Sequence, residues 1–155
     1  MGQDPRLILS DILQGLPPTL QKHEGSSCFY YNFYQFLFNR EEDPTQGWGL
    51  FGRFGWANDK TNPIANFYSI GLGGKGMFAS RGKDTWGVGY YYSTLSDEFH
   101  RLISSRFGDS QGAEAFYNIE IKPWLHLTPD FQVIEPSNEQ VDTAYVAGFR
   151  VRMNF

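Results

Sequence analysis

Three groups of residues have the types and spacing to do chemistry. GLGGKG, residues 71–76, fits Gly-x-Gly-x-x-Gly, the spacing that wraps a dinucleotide's pyrophosphate when it follows a strand and opens a helix. Glu114 and Glu120 place two carboxylates on one short stretch, as a glycoside-cleaving pair requires. His126 is a candidate general base or metal ligand. Each reading depends on the elements that hold these residues.

The glycines sit in FYSIGLGGKGMF, residues 67–78, where Tyr68, Ile70, Leu72 and Phe78 share one face and Ser69, Gly71, Gly73 and Lys75 the other. That is strand periodicity. A turn, ASRGKD, follows, so no helix N-terminus is available to meet a phosphate. These are strand glycines, which mark bends or close approach of another group. Along one extended strand, six residues separate the Glu114 and Glu120 carboxyls by ~20 Å, too far for a glycosidase pair. His126 has no His, Cys or carboxylate at ligand spacing. The single cysteine, Cys28, excludes an intrachain disulfide and a Cys-rich zinc site; it reads as a small wall or loop residue. No enzyme, metal or cofactor is expected.

Strand periodicity recurs along the chain. Back from the terminus, Phe155, Met153, Val151, Phe149, Ala147 and Tyr145 are apolar, while Asn154, Arg152, Arg150 and Gly148 alternate with them. In GWGLFGRFGWA, residues 47–57, Trp48, Leu50, Phe54 and Trp56 oppose Phe51 and Arg53. In DTWGVGYYYS, residues 84–93, Trp86, Val88, Tyr90 and Tyr92 share a face. AEAFYNIEI, residues 113–121, sets Ala113, Ala115, Tyr117, Ile119 and Ile121 against Glu114, Phe116, Asn118 and Glu120. WLHLTPDFQV, residues 124–133, sets Leu125, Leu127, Phe131 and Val133 against Trp124, His126, Thr128, Asp130 and Gln132. CFYYNFYQFLFN, residues 28–39, is a further strand; Gln35 breaks the parity of Asn32 and Tyr34, which suggests a bulge. Residues 1–24 read as a loop or short helix, and 25–155 as one seven-strand unit.

Composition narrows the class. Of 155 residues, 17% are aromatic and 17 are glycine, yet mean hydropathy is −0.43. No apolar run approaches the ~20 residues of a spanning helix, whereas spanning β-strands alternate and escape hydropathy. A net charge of −4 offers no basic footprint for nucleic acid. The start, MGQDPRLILSDILQ, lacks the basic and apolar regions of a secretory signal. Counted back from the C-terminus, the connections run roughly 8, 2, 15, 5, 9 and 7 residues, mostly alternating long and short as in an outer-membrane barrel.

GWGLFGRFGWANDKTNP, GLGGKG, DTWGVGYYYSTLSD, EAFYNIEIKPWLHLTPDFQVI and the ending VRMNF, in this order, resemble the carbohydrate-selective porin (OprB) family from about residue 28 to 155. The resemblance implies an all-β, antiparallel transmembrane β-barrel of about sixteen strands, in the bacterial outer membrane, passing mono- or oligosaccharides by diffusion. This chain would supply its C-terminal seven strands, without signal sequence or the N-terminal half of the barrel. Terminal Phe155 resembles the signal read by the barrel-assembly machinery. Tyr34 departs from the family, where an acidic residue is usual. A soluble β-sandwich or lectin-like module, or a split-barrel subunit needing a partner, are the alternatives.

With the apolar faces toward lipid, the reverse faces line water. They carry Arg53, Lys75, Glu114, Asn118, Glu120, Trp124, His126, Gln132, Arg150 and Arg152. Polar groups that replace hydroxyl hydration, with aromatic faces such as Trp124 and Phe116, suit weak, repeated sugar contacts that still permit exit. Trp48, Trp56, Trp86, Tyr92 and Tyr145, near strand ends, suit the aromatic girdles at the membrane interfaces.

Overall fold

The computed structural model describes residues 25–103 and 106–154. Residues 1–24 and Phe155, and with them the loop-or-helix and assembly-signal expectations, lie outside the described residues.

Seven strands form a single antiparallel sheet in sequence order: β1 (Cys28–Asn39), β2 (Gly47–Ala57), β3 (Ile64–Lys75), β4 (Thr85–Leu95), β5 (Ser110–Lys122), β6 (Leu125–Glu135) and β7 (Ala144–Met153). Each pairs only with its sequence neighbours, so the sheet is open, with β1 and β7 as edges. At 10–13 residues the strands match the ~9–11 that cross a bilayer obliquely, with a little to spare.

The ladders put the apolar sets of neighbouring strands on one face. Leu50 pairs with Leu72, Leu72 with Val88, Val88 with Ala115, Ala115 with Phe131 and Phe131 with Ala147. Among the described residues no second layer covers them. No large hydrophobic side chain among the described residues is buried; Ile70, Phe131, Phe149 and Val151 are half-exposed or more. A water-soluble sheet hides such a face against a second layer. Here nothing among the described residues covers the face.

The two ends differ. One, the turn end, has residues 40–46, 76–84 and 123–124; the other, the loop end, has 58–63, 96–109 and 136–143. The expected alternation holds for the last three connections and fails before them, where the seven residues of β1–β2 and the nine of β3–β4 both exceed the six of β2–β3. The reason is local. Strand β3 stops at Lys75, Gly76 turns with φ 73°, and a 3-10 turn, Ala79–Arg81, folds the connection back. Phe78, read as a strand residue, therefore lies in this turn.

Asp84 is the hub of the turn end, only 2% exposed. Arg81 donates to both its oxygens, Nε at 2.7 Å and Nη2 at 3.0 Å. The Tyr117 hydroxyl (3.0 Å) and the Glu120 backbone N–H (2.9 Å) complete the set. Burial pushes the Asp84 carboxyl up, but these hydrogen bonds outweigh it and hold its pKa below the ordinary aspartate value. At the loop end, Ser96 caps a short helix, α1 (Asp97–Ile103), its Oγ accepting from Phe99 N–H at 3.3 Å. Loops 96–109 and 136–143 are tied by Gly108 N–H to Ser137 O at 2.7 Å and Glu139 N–H to Arg106 O at 2.9 Å.

Candidate functional site: the inner wall of the sheet

The reverse face is read row by row. The first row runs Asn32, Arg53, Ser69, Tyr91, Gly112, Ile134 and Ala144. The second runs Tyr34, Phe51, Gly71, Gly89, Glu114, Gln132 and Val146. The third runs Phe36, Gly49, Gly73, Gly87, Phe116, Asp130 and Gly148. Toward the turn end follow Gly47, Lys75, Thr85 and Asn118, with Thr128 and Arg150 beyond, then Glu120, His126 and Arg152.

Nine of the ten expected wall residues fall on this face. Arg53 donates from Nε to Asn32 Oδ1 at 2.6 Å across β1 and β2. Asn118 holds Thr128 Oγ1 at 2.7 Å and meets His126 Nδ1 at 3.1 Å. The ladder lacks pairs for Tyr117 and Asn118 where β6 carries Pro129, which has no N–H to donate, and these side-chain bonds span the gap. Glu120 pairs with Lys83 Nζ at 3.3 Å. Gln132 donates to Asp130 Oδ2 at 3.4 Å. Lys75, Arg150 and Arg152 make no salt bridge among the described residues.

Trp124, the tenth, occupies the two-residue β5–β6 connection and is half-exposed; its carbonyl oxygen accepts from Asn154 N–H at 2.9 Å, beside β7. The β1 bulge is displaced: the shift falls between Phe36 and Phe38, so Leu37 is the extra residue while Gln35 keeps regular pairing. Glu114 and Glu120 both lie on β5, six residues apart.

On the outer face, Trp48 and Trp86 stand second in β2 and β4, at the turn end. Trp56, Tyr92 and Tyr145 lie toward the loop end. Of the five expected girdle residues, two thus stand at the turn end and three toward the loop end.

The glycines of β3 and β4 have a role that the sequence reading left open. Gly71, Gly73, Gly87 and Gly89 form one contiguous patch of bare backbone on the inner face. Rings fold over it from both sides. A Cβ on Gly71 would lie 2.5 Å from Phe51 Cζ, and one on Gly87 would lie 2.6 Å from Phe116 Cε1. Tyr91 covers Gly112 in the same way, at 2.7 Å. Of these four Gly89 alone stays open: a Cβ there would have the Ile70 carbonyl oxygen as its nearest neighbour beyond the adjoining residues, at 3.7 Å. Above it lies a hollow of about 340 Å³ lined on the inner face by Phe51, Ser69, Tyr91, Glu114, Phe116 and Gln132. Of these, Glu114, Phe116 and Gln132 were among the expected contacts. The available signal was the shared parity of GLG in β3, GVG in β4 and the aromatics flanking them.

A single sheet with an apolar face that nothing among the described residues covers, and a polar reverse face, is built as the wall of a transmembrane β-barrel. Comparison with known proteins agrees. The chain matches the family described as "Carbohydrate-selective porin, OprB family" over residues 3–155, and it belongs to that family. It is 27% identical over 132 residues to Porin B of Pseudomonas aeruginosa, covering 73% of this chain and 29% of that protein. It is 28% identical over 160 residues to the "Putative porin QuiX" of Acinetobacter baylyi, covering 86% and 35%. The "High pH structure of Pseudomonas putida OprB" superposes with a TM-score of 0.82 at 25% identity, covering 94% of this chain and 39% of that one. The chain thus spans about a third of the length of these curated relatives.

Proposed function

We propose that these seven strands are the C-terminal part of an outer-membrane barrel of about sixteen strands that passes mono- or oligosaccharides by passive diffusion. The observation that carries the reading is the two-faced sheet without a buried apolar core. A sandwich needs a second sheet against that face, and the described residues form one. The turn end then faces the periplasm and the loop end the exterior, with outer-membrane lipid against Ile70, Val88, Phe131 and Val151. The ten candidate residues line the water path, and mixed Arg and Glu limit net ion selectivity. Phe155 is the feature read by the assembly machinery. The chain works as a barrel segment together with further strands, from the same polypeptide or from a partner chain.

The test is liposome swelling with the protein extracted in detergent as its own cells make it, with whatever strands complete the barrel. Sugars enter at rates that fall with their size and follow the gradient without an energy source. Sugar-impermeable liposomes, or a protein that leaves the membrane without detergent, would sink the reading.

A further inference from the structure

We infer that the outer face holds one glycerophospholipid with an ethanolamine head group, at the turn end of β2, β3 and β4. The inference rests on the reading of this sheet as a barrel wall with its outer face in lipid. On that reading the turn end meets the periplasmic leaflet, whose lipids are glycerophospholipids.

Pairing lines up one cross-strand row there: Phe38, Trp48, Gly74, Trp86 and Tyr117. Every position but the middle one is aromatic. The backbone imposes the gap, since a Cβ on Gly74 would lie 2.2 Å from the Gly47 carbonyl oxygen and 2.7 Å from Trp48 Cα. A hollow of about 420 Å³ opens at this place, lined by Trp48, Leu72, Met77 and Trp86 and bordered by Arg40 and Lys75. Its size is that of a small-molecule site, enough for the glycerol-phosphate and the first stretch of one acyl chain.

Arg40 is held at the rim. Its Nη1 donates to Gln46 Oε1 at 2.9 Å, and Gln46 Nε2 donates to Asp43 Oδ2 at 2.8 Å. Gln46 is itself seated on two glycines: a Cβ on Gly76 would lie 2.6 Å from its Oε1, and one on Gly82 would lie 2.5 Å from its Nε2. Arg40 forms no salt bridge among the described residues, and a guanidinium has five N–H donors, enough to grip two oxygens of a phosphate as well. Glu41 and Glu42 follow on the same connection, both exposed and without a salt bridge among the described residues. Cations next to carboxylates match a zwitterion: the phosphate meets Arg40, and the ammonium meets Glu41 or Glu42. An anionic head group gains the first contact and is repelled by the second pair.

The experiment is native mass spectrometry of the detergent-extracted protein, with whatever strands complete the barrel, titrated with phosphatidylethanolamine or phosphatidylglycerol of the same acyl chains. Expected is one phosphatidylethanolamine retained per protein, about threefold more tightly than phosphatidylglycerol. Arg40→Gln weakens retention about tenfold and Trp48→Leu roughly threefold, whereas Tyr145→Leu, toward the loop end of the same face, leaves it unchanged. Resistance to SDS before heating shows that each variant is folded. If either folded turn-end variant retains the lipid as wild type does, if Tyr145→Leu loses it equally, or if phosphatidylglycerol binds as well, the inference is overturned. The porin reading then stands so long as the same preparation passes sugar in liposome swelling. A protein that leaves the membrane without detergent would overturn both.

Discussion

The inner face is built in two ways. Across β2, β3 and β4 it consists largely of missing side chains: Gly49, Gly71, Gly73, Gly87 and Gly89, with two phenyl rings laid over the gaps. Across β5, β6 and β7 the same face carries Glu114, Asn118, Glu120, His126, Thr128, Arg150 and Arg152, held by side-chain hydrogen bonds or left to solvent. The first half sets shape through how closely backbone and rings approach. The second sets charge. Added atoms should therefore be felt in the first half, and removed charges should alter the field in the second without disturbing the fold.

The largest effect is expected from Gly71→Val. The new Cβ meets Phe51 Cζ at 2.5 Å and the Val88 carbonyl oxygen at 2.8 Å, and a backbone oxygen cannot swing aside. The loss is about 3 kcal/mol, read as a lower temperature at which the folded, SDS-resistant form disappears. Adding Phe51→Ala should recover only part of it, because the carbonyl contact remains. Full recovery would assign the whole constraint to the ring.

Next comes Asp84, which ties the two halves together: it stands beside the start of β4 and bonds Tyr117 and Glu120 of β5. Asp84→Ala strands Arg81 and the Tyr117 hydroxyl and costs about 2 kcal/mol. The sign of its pH dependence follows from its lowered pKa. The stabilisation is fully present above the ordinary aspartate pKa of about 3.9 and is lost as pH falls through the lower folded value. An acid titration of the folded form should thus lose a stability limb in Asp84→Asn. An unchanged acid profile would remove Asp84 from the account.

The smallest effect on folding is expected from Arg150→Ala with Arg152→Ala. Both are exposed and form no salt bridge among the described residues, so thermal stability stays at the wild-type value. The reversal potential in a salt gradient should nevertheless shift toward cation preference. A large stability loss would show that the polar half is braced by charge after all.

The strands and their faces were legible because alternation along β2, β4, β6 and β7 is nearly unbroken, and register follows once one face is apolar. The placement of Trp48, Trp56, Trp86, Tyr92 and Tyr145 on the outer face followed for the same reason. What escaped depended on partners distant in sequence. Asp84 is a polar residue before a strand in the sequence, and only folding brings Tyr117 and Glu120 to it. Trp124 continues the alternation of its segment, yet the chain reverses over residues 123–124. The glycines were visible as strand glycines. That those of β3 and β4 lie side by side, under Phe51 and Phe116, is a fact about pairing that one-dimensional spacing does not contain.

The open edges have a consequence of direction. Strands in an antiparallel sheet alternate in sense, so with seven of them the first and the last, β1 and β7, run the same way. Two copies inserted in the same sense would bring parallel edges together at both seams. Antiparallel closure instead requires a complement that begins and ends with strands of opposite sense, and hence an odd number of them. Among the described residues, then, the sheet is not its own complement: seven strands leave two copies of the same sense with parallel edges at both seams.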